Sequence, residues 1–376
     1  MNKLAYTTLG LVLILVMALG ACAAPQTPSP APTPQAPAIE RPTPTTPQLT
    51  SEQQLIEAAK KEGEVTLWTF SFDPPGLAVI RAFQDKYPFL KWKYFDGDHP
   101  EILAKMSEER KAGRRSVDVV ILNSDSLAEL KDGGFLQEYD WSNTQGWKAQ
   151  PSNKFWANIM VSIRFPVYNT NVVSPAEAPK IWDDLKNSRW RGNSLITVSA
   201  RAFPTEFAYI MGDGKSLNWE KAESFWTEVV NNTRPRILSG FSGPTELLAA
   251  GEGRILLLNS VNTALNFILR GAPIGIGRVE KTSGSTQGIA LVKDAPHPNA
   301  AKLLANFLTS AEGHVLYMNL AQQQISLAPF GDSRVKSNQM VAAAGIDWTP
   351  LPVELITAEN RLRATTFWNK LLERRG

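Results

Sequence analysis

The 376-residue chain has one cysteine, Cys22, and three histidines, His99, His297 and His314. A lone cysteine excludes an internal disulfide, so the core must hold together without covalent staples. The histidines are far apart, and none belongs to a His-x-x-Glu-His or similar metal pattern. Neither sign of charge is in large excess. A net charge of +3 over this length gives no case for nucleic acid. Gly240-Phe-Ser-Gly243 lacks the Gly-x-Ser-x-Gly spacing of a nucleophile elbow. Gly275-Ile-Gly277 is not a dinucleotide loop, because Glu280 stands where the third glycine belongs. The reading is therefore no enzyme, no catalytic residue and no cofactor, with a hydrolase built from paired carboxylates kept as an alternative.

Long hydrophobic runs are few. The first, residues 9–19, follows Lys3 and is short for a transmembrane span. It ends in Leu19-Gly20-Ala21-Cys22, which looks like the lipobox of bacterial lipoproteins. That likeness implies cleavage after residue 21, a diacylglycerol on the Cys22 sulfur and anchoring to the outer face of a membrane, and it leaves no thiol nucleophile. Residues 22–48 are rich in Pro, Thr, Ala and Gln and have almost no apolar bulk. They read as an extended tether of roughly 3 Å per residue.

From residue 49 the composition is globular and the length suits two domains. A short amphipathic helix runs into Gly63, which reads as its C-cap, and residues 65–70 then read as a strand. A helix over 77–87, a strand over 89–95, a helix over 100–111 and a strand over 117–122 follow. This alternation argues for a parallel sheet with right-handed crossovers, whose ligands sit at the carboxyl ends of the strands. Residues 157–169 form a long extended stretch whose Pro166 argues against a central ladder position. They read as a crossover between lobes. A second block of strands and helices begins near residue 194, with strands at 194–199 and 254–259. Residues 285–292 read as a second crossover, and 354–372 as a final helix. The expected division is 49–160 and 285–332 in one lobe, 161–284 in the other, and 333–376 as a C-terminal helical segment.

Several motifs stand in an order that resembles one family. They are Glu62-Gly-Glu-Val-Thr-Leu67, Ala82-Phe83 with Tyr87-Pro88, Glu109-Arg-Lys-Ala-Gly113 with Asp118-Val-Val120, and Val167-Tyr-Asn-Thr170. Pro179-Lys-Ile-Trp-Asp-Asp-Leu185, Trp190-Arg-Gly192 and Ala295-Pro-His-Pro-Asn-Ala-Ala301 complete the set. They look like the extracellular solute-binding proteins of ABC importers, the ferric-iron-binding branch and its neighbours. The resemblance implies a type II periplasmic-binding-protein clamshell: two α/β lobes, each a mixed and mainly parallel sheet, joined by two crossover strands. It implies hinge closure on a small ligand or ion, delivery to a membrane permease driven by an ATPase, and iron transport as one use. Ferric-binding relatives carry two adjacent tyrosines just past the strand matching residues 254–259. Here Val261 and Asn262 fill those places, which puts iron bound in that way in doubt.

The strand ends offer Trp68, Thr69, Ser71, Asn123, Ser124, Ser199, Arg201, Thr205, Asn259, Ser260 and Asn262, with Tyr168 at the crossover. Hydroxyls and amides at helix N-termini favour anions, and Arg201 could grip a carboxylate or phosphate. The expected ligand is a small oxyanion, an organic anion, or a metal such as ferric iron held with an anion. Each residue also has a plain structural reading: Ser71, Ser124 and Thr205 as caps, Arg201 as a solvated loop residue, Trp68 as core and Tyr168 as crossover packing. Alternatives are a polyamine or thiamine ligand, for which Trp68, Asp73 and Asp125 would begin a set, and a ligand-sensing receptor subunit on the same clamshell. A monomer is the default.

Overall fold

The computed structural model describes residues 50–70, 77–151, 153–322 and 324–373. Ser71, Asp73, Cys22 and the expected signal and tether lie outside the described residues.

Lobe 1 begins with α1 (Ser51–Glu62), started by a reciprocal capping box between Thr50 and Gln53 and stopped by Gly63 in the left-handed conformation. Then come β1 (Glu64–Thr69), α2 (Leu77–Lys86), β2 (Lys91–Asp96), α3 (His99–Lys111), β3 (Val119–Asn123) and α4 (Ser124–Asp132). The chain crosses to lobe 2 on the 14-residue β4 (Trp156–Asn169). Lobe 2 holds β5 (Ser194–Thr197), α5 (Phe203–Ile210), α6 (Trp219–Thr233), β6 (Arg236–Leu238), α7 (Ser242–Ala249), β7 (Ile255–Ser260), α8 (Val261–Leu269) and β8 (Ile274–Ile276). The return is β9 (Thr282–Leu291), followed by α9 (Pro298–Thr309), α10 (Ala311–Leu316) and β10 (Ile325–Ser326). The C-terminal segment adds α11 (Gly331–Arg334), α12 (Lys336–Ala343), β11 (Trp348–Pro350) and α13 (Ala358–Glu373).

In lobe 1 the strand order is β2-β1-β3-β9-β4; β1 pairs parallel with β2 and β3, and β9 runs antiparallel to β3 and β4. Alternate residues feed two cores. Val65, Leu67, Val119, Ile121 and Ile289 point to the face covered by α1, α2 and α9. Trp68, Val120, Leu122 and Ala290 point to the face covered by α3 and α4. A strand buried on both faces reads as a continuous apolar run, as β3 does over residues 119–122. In lobe 2 the far half of β4 pairs antiparallel with β7 and β8, and β5 lies parallel to both β7 and β6. The lobe 2 core is aromatic: Trp182, Phe203, Phe207, Phe225, Trp226 and Trp368 form one contiguous set of ring contacts.

Pro166 does lie inside a strand paired on both sides, contrary to the sequence expectation. The register of β4 against β7 shifts between Phe165 and Val167, so Pro166 sits where no ladder N–H is required, and its carbonyl accepts from Gly277. The C-terminal segment also passes between the lobes. Val335 belongs to the lobe 1 core and Val341 to the lobe 2 core. Strand β11 then pairs with the start of β9, Val353 packs on the α3/α4 side of lobe 1, and α13 returns to bury Ala364, Trp368 and Leu372 in lobe 2.

The motifs that carry the family likeness hold this frame together. The Glu62 carboxylate, at the end of α1, accepts from the backbone N–H groups of Asn299 and Ala300 and so caps α9. Asp118, fully buried, accepts from Thr66 N–H at 2.7 Å and His297 N–H at 2.8 Å, and its carboxylate meets His297 Nδ1 at 3.0 Å. Burial pushes the Asp118 carboxyl up, while the His297 and Thr66 hydrogen bonds pull the other way. Trp182 donates its backbone N–H to Glu280 and its indole N–H to the Lys281 carbonyl.

Candidate functional site

A cleft of about 760 Å³ opens between the lobes over the paired crossover strands. Its floor is Ser162 and Arg164 of β4 and Gln287 of β9. Two-residue spacing puts 162 with 164, and 285 with 287, on one face of the ribbon, and the pairing of Ser162 with Ser285 makes it the same face. Lobe 1 contributes Phe70, just past β1, and Gln324. Lobe 2 contributes two helix starts. Phe241, Ser242 and Glu246 come from α7, and Ser260, Asn262, Thr263, Asn266, Phe267 and Arg270 come from the β7–α8 junction and α8.

Local chemistry explains why these groups face the cleft. Asn262, Asn266 and Arg270 are spaced i, i+4, i+8, one stripe of a helix whose buried residues are Val261, Thr263, Ala264 and Leu265. The start of α7 is set by the turn before it. Gly240 has φ +71°, a left-handed conformation suited to glycine. Its N–H donates to Ser199 Oγ at 2.8 Å, and its carbonyl accepts from Thr197 Oγ1. Asn259 ties the two helix starts together, donating to Thr245 Oγ1 and accepting from the Ser260 N–H. Neither α7 nor α8 has a side chain capping its first turn. Their leading N–H groups therefore lack a side-chain acceptor, and both helices present the positive end of their dipoles to one cavity.

On the floor, Arg164 donates to both oxygens of the buried Glu206 at 2.8 and 2.7 Å, and Ser285 Oγ donates to the same carboxylate at 2.7 Å. Glu206 thus compensates Arg164. Arg164 Nε, Gln287 Oε1 and Gln324 Oε1 are buried without hydrogen-bond partners. Gln287 is 6% exposed and Gln324 3%. A buried orphan polar atom is costly, and three beside one cavity mark a place where a bound molecule completes the bonding.

The sequence-expected residues distribute as follows. Ser260 and Asn262 line the cleft. Asn259 and Ser199 stand behind it, holding the α7 and α8 starts. Thr69 is next to Phe70, buried, with Oγ1 unpartnered. Trp68 is 2% exposed in the lobe 1 core, against Phe95 at 5.4 Å and under Lys105 Nζ at 5.1 Å. Asn123 caps α4, and Ser124 is buried, bonded to Asn158 and Thr286. Tyr168 covers Gly275, where a Cβ would come within 2.4 Å of the ring, and burial raises its phenol. Thr205 is buried in α5, facing the Asn360 carbonyl, and Arg201 is exposed ahead of that helix. Arg164, Glu206, Gln287, Gln324, Glu246 and Arg270 were absent from the sequence expectation. The polar stripe on the otherwise apolar α8 is the signal that could have found Arg270.

Among the described residues, no group of three or more His, Cys, Asp or Glu side chains could hold a metal ion. No described tyrosine lines the cleft. No described helix is long and apolar enough to cross a membrane.

Two α/β lobes joined by crossover strands, with helix N-termini converging on the cavity between them, define a type II binding-protein clamshell. Residues 77–315 match the bacterial extracellular solute-binding protein family, to which this chain belongs. The fold is similar to iron-bound HitA from Pseudomonas aeruginosa, with a TM-score of 0.66 and 19% identity over 82% of this chain and 99% of that one. A substrate-binding protein of an ABC transporter from Agrobacterium tumefaciens gives TM-score 0.66 and 19% identity, covering 84% and 96%. AfuA from Actinobacillus pleuropneumoniae, solved with fructose-6-phosphate, gives 0.61 and 17%, covering 83% and 99%.

Proposed function

We propose that this chain is the substrate-binding lipoprotein of an ABC import system, capturing a small oxyanion or organic anion between its lobes. The observation that carries the reading is the pair of uncapped helix starts, α7 and α8, opening on one cavity that Arg270, at the far end of α8, also lines. Anionic oxygens accept from those N–H groups and from the guanidinium, and the amides of Asn262 and Asn266 serve neighbouring polar atoms. Phe70, Phe241 and Phe267 supply apolar walls for a carbon skeleton. Ligand favours the closed arrangement by the contacts it makes to both lobes at once, and the bulge at Pro166 gives β4 a place to bend. The closed form is handed to a permease coupled to an ATPase, and Cys22 carries the lipid that keeps the protein at the membrane.

A metal held through an anion is a second reading, supported by the Trichodesmium IdiA (FutA) structure, which contains iron and citrate. The test is thermal unfolding of the full chain with phosphate, alkylphosphonates, small carboxylates, hexose phosphates, ferric citrate, thiamine and spermidine. A ligand at a thousandfold its Kd adds about 4 kcal/mol. A shift with an anion, lost in Arg270→Ala, supports the proposal. A shift with ferric citrate and not with citrate selects the metal reading. A shift with spermidine alone refutes both.

A further inference from the structure

Glu246 and Arg270 face the same cleft from α7 and α8. No ion pair or side-chain hydrogen bond joins either of them to a described residue. The cleft's other charge, Arg164, is already compensated by Glu206. Opposite charges on one wall that do not pair with each other leave the cavity with two poles. The buried acceptors Gln287 Oε1 and Gln324 Oε1 add a demand for hydrogen-bond donors. A plain oxyanion would meet the positive pole and leave the two buried glutamine oxygens unanswered, at the cost that buried orphan groups carry, and would leave the exposed Glu246 carboxylate without a counter-charge.

Resting on the anion reading above, we infer that the ligand is a zwitterion. Its oxyanion, phosphonate or carboxylate, sits on the α7 and α8 wall, where the helix starts and Arg270 supply the positive charge. Its ammonium group faces Glu246 and the glutamine carbonyls. The cleft has ample room for a small molecule that carries both groups.

The experiment is calorimetric titration of the full chain with matched probes: 3-aminopropylphosphonate against propylphosphonate, 4-aminobutyrate against butyrate, and propylamine alone. At least one amino compound is expected to bind tenfold or more tighter than its amine-free partner. Glu246→Gln should collapse that ratio toward one, and Glu246→Asp should restore part of it. Equal affinity within both pairs overturns the zwitterion while leaving the anion reading intact. An unchanged ratio in Glu246→Gln also overturns it. Binding of propylamine without any anion overturns the anion reading itself, and silence from every probe overturns both.

Discussion

At the end of β3, Asn123 caps α4 and Ser124 is spent on Asn158 and on Thr286 of the crossover strand. At the end of β7, Ser260 begins α8 without capping it, and its hydroxyl bonds Thr263 instead. Both junctions are strand-to-helix turns built from Asn and Ser. One closes its hydrogen bonds on the protein, and the other leaves N–H groups facing a cavity. Residue type at a strand end therefore does not identify a binding site. What separates the two is whether the local donors and acceptors are already used.

That contrast predicts stability losses in lobe 1 and affinity losses in lobe 2. Asn158 accepts from Ser124 Oγ and Trp156 Nε1 and donates to the Ala149 carbonyl. Asn158→Ala should lower unfolding free energy by about 3 kcal/mol, since it strands several buried partners; urea unfolding measures it. If the variant is as stable as the parent, the lobe 1 junction is not the closed network described.

A titration gives the next effect. Burial drives His314 down to about 3; its ring meets the Leu308 carbonyl through Nδ1 and Ser326 Oγ through Nε2. Only a neutral ring with the proton on Nδ1 can donate to that carbonyl and accept from the serine. Below its ordinary titration range the unfolded chain takes up a proton that the folded one refuses, so stability falls with acidification. The loss is about 1.4 kcal/mol per pH unit between the ordinary histidine value and 3. Asp118 acts in the opposite sense: its raised value gives a contribution present at low pH and lost as pH rises through the folded value. Denaturant unfolding from pH 7 to 4 should show the decline, and His314→Gln should flatten it by about one proton.

In lobe 2 the expected order reverses. Arg270→Gln should weaken an anionic ligand about tenfold, as loss of a charge-assisted hydrogen bond does, and shift stability by less than about 0.5 kcal/mol. Calorimetry and unfolding on the same sample check both. The smallest effect belongs to Arg201→Ala, expected to change affinity less than Arg270→Gln does. Equal losses would place the anion at the start of α5 rather than α8.

Most of the frame was legible. The Gly63 stop of α1 and the apolar runs of β3 and β7 announce themselves because each rests on a local pattern. The family motifs were legible too, and Glu62, Asp118 and His297 show why: they fasten α9 to α1 and to the strands of lobe 1. The cleft was less legible. Arg164, Gln287 and Gln324 come together only through pairing of segments more than a hundred residues apart, and only burial reveals that their polar atoms are unanswered. Short β6, β8, β10 and β11 escaped because two or three residues carry no period.

Trp368, donating its indole N–H to the Thr197 carbonyl from within α13, sits among the lobe 2 rings. The last helix in the chain thus completes an aromatic set whose other members were laid down well over a hundred residues earlier. Lobe 2 cannot finish folding until nearly the whole polypeptide is available, which makes its closing step slow and non-local. A chain cut short before α13 would hold a hole the size of an indole where its second lobe should be solid.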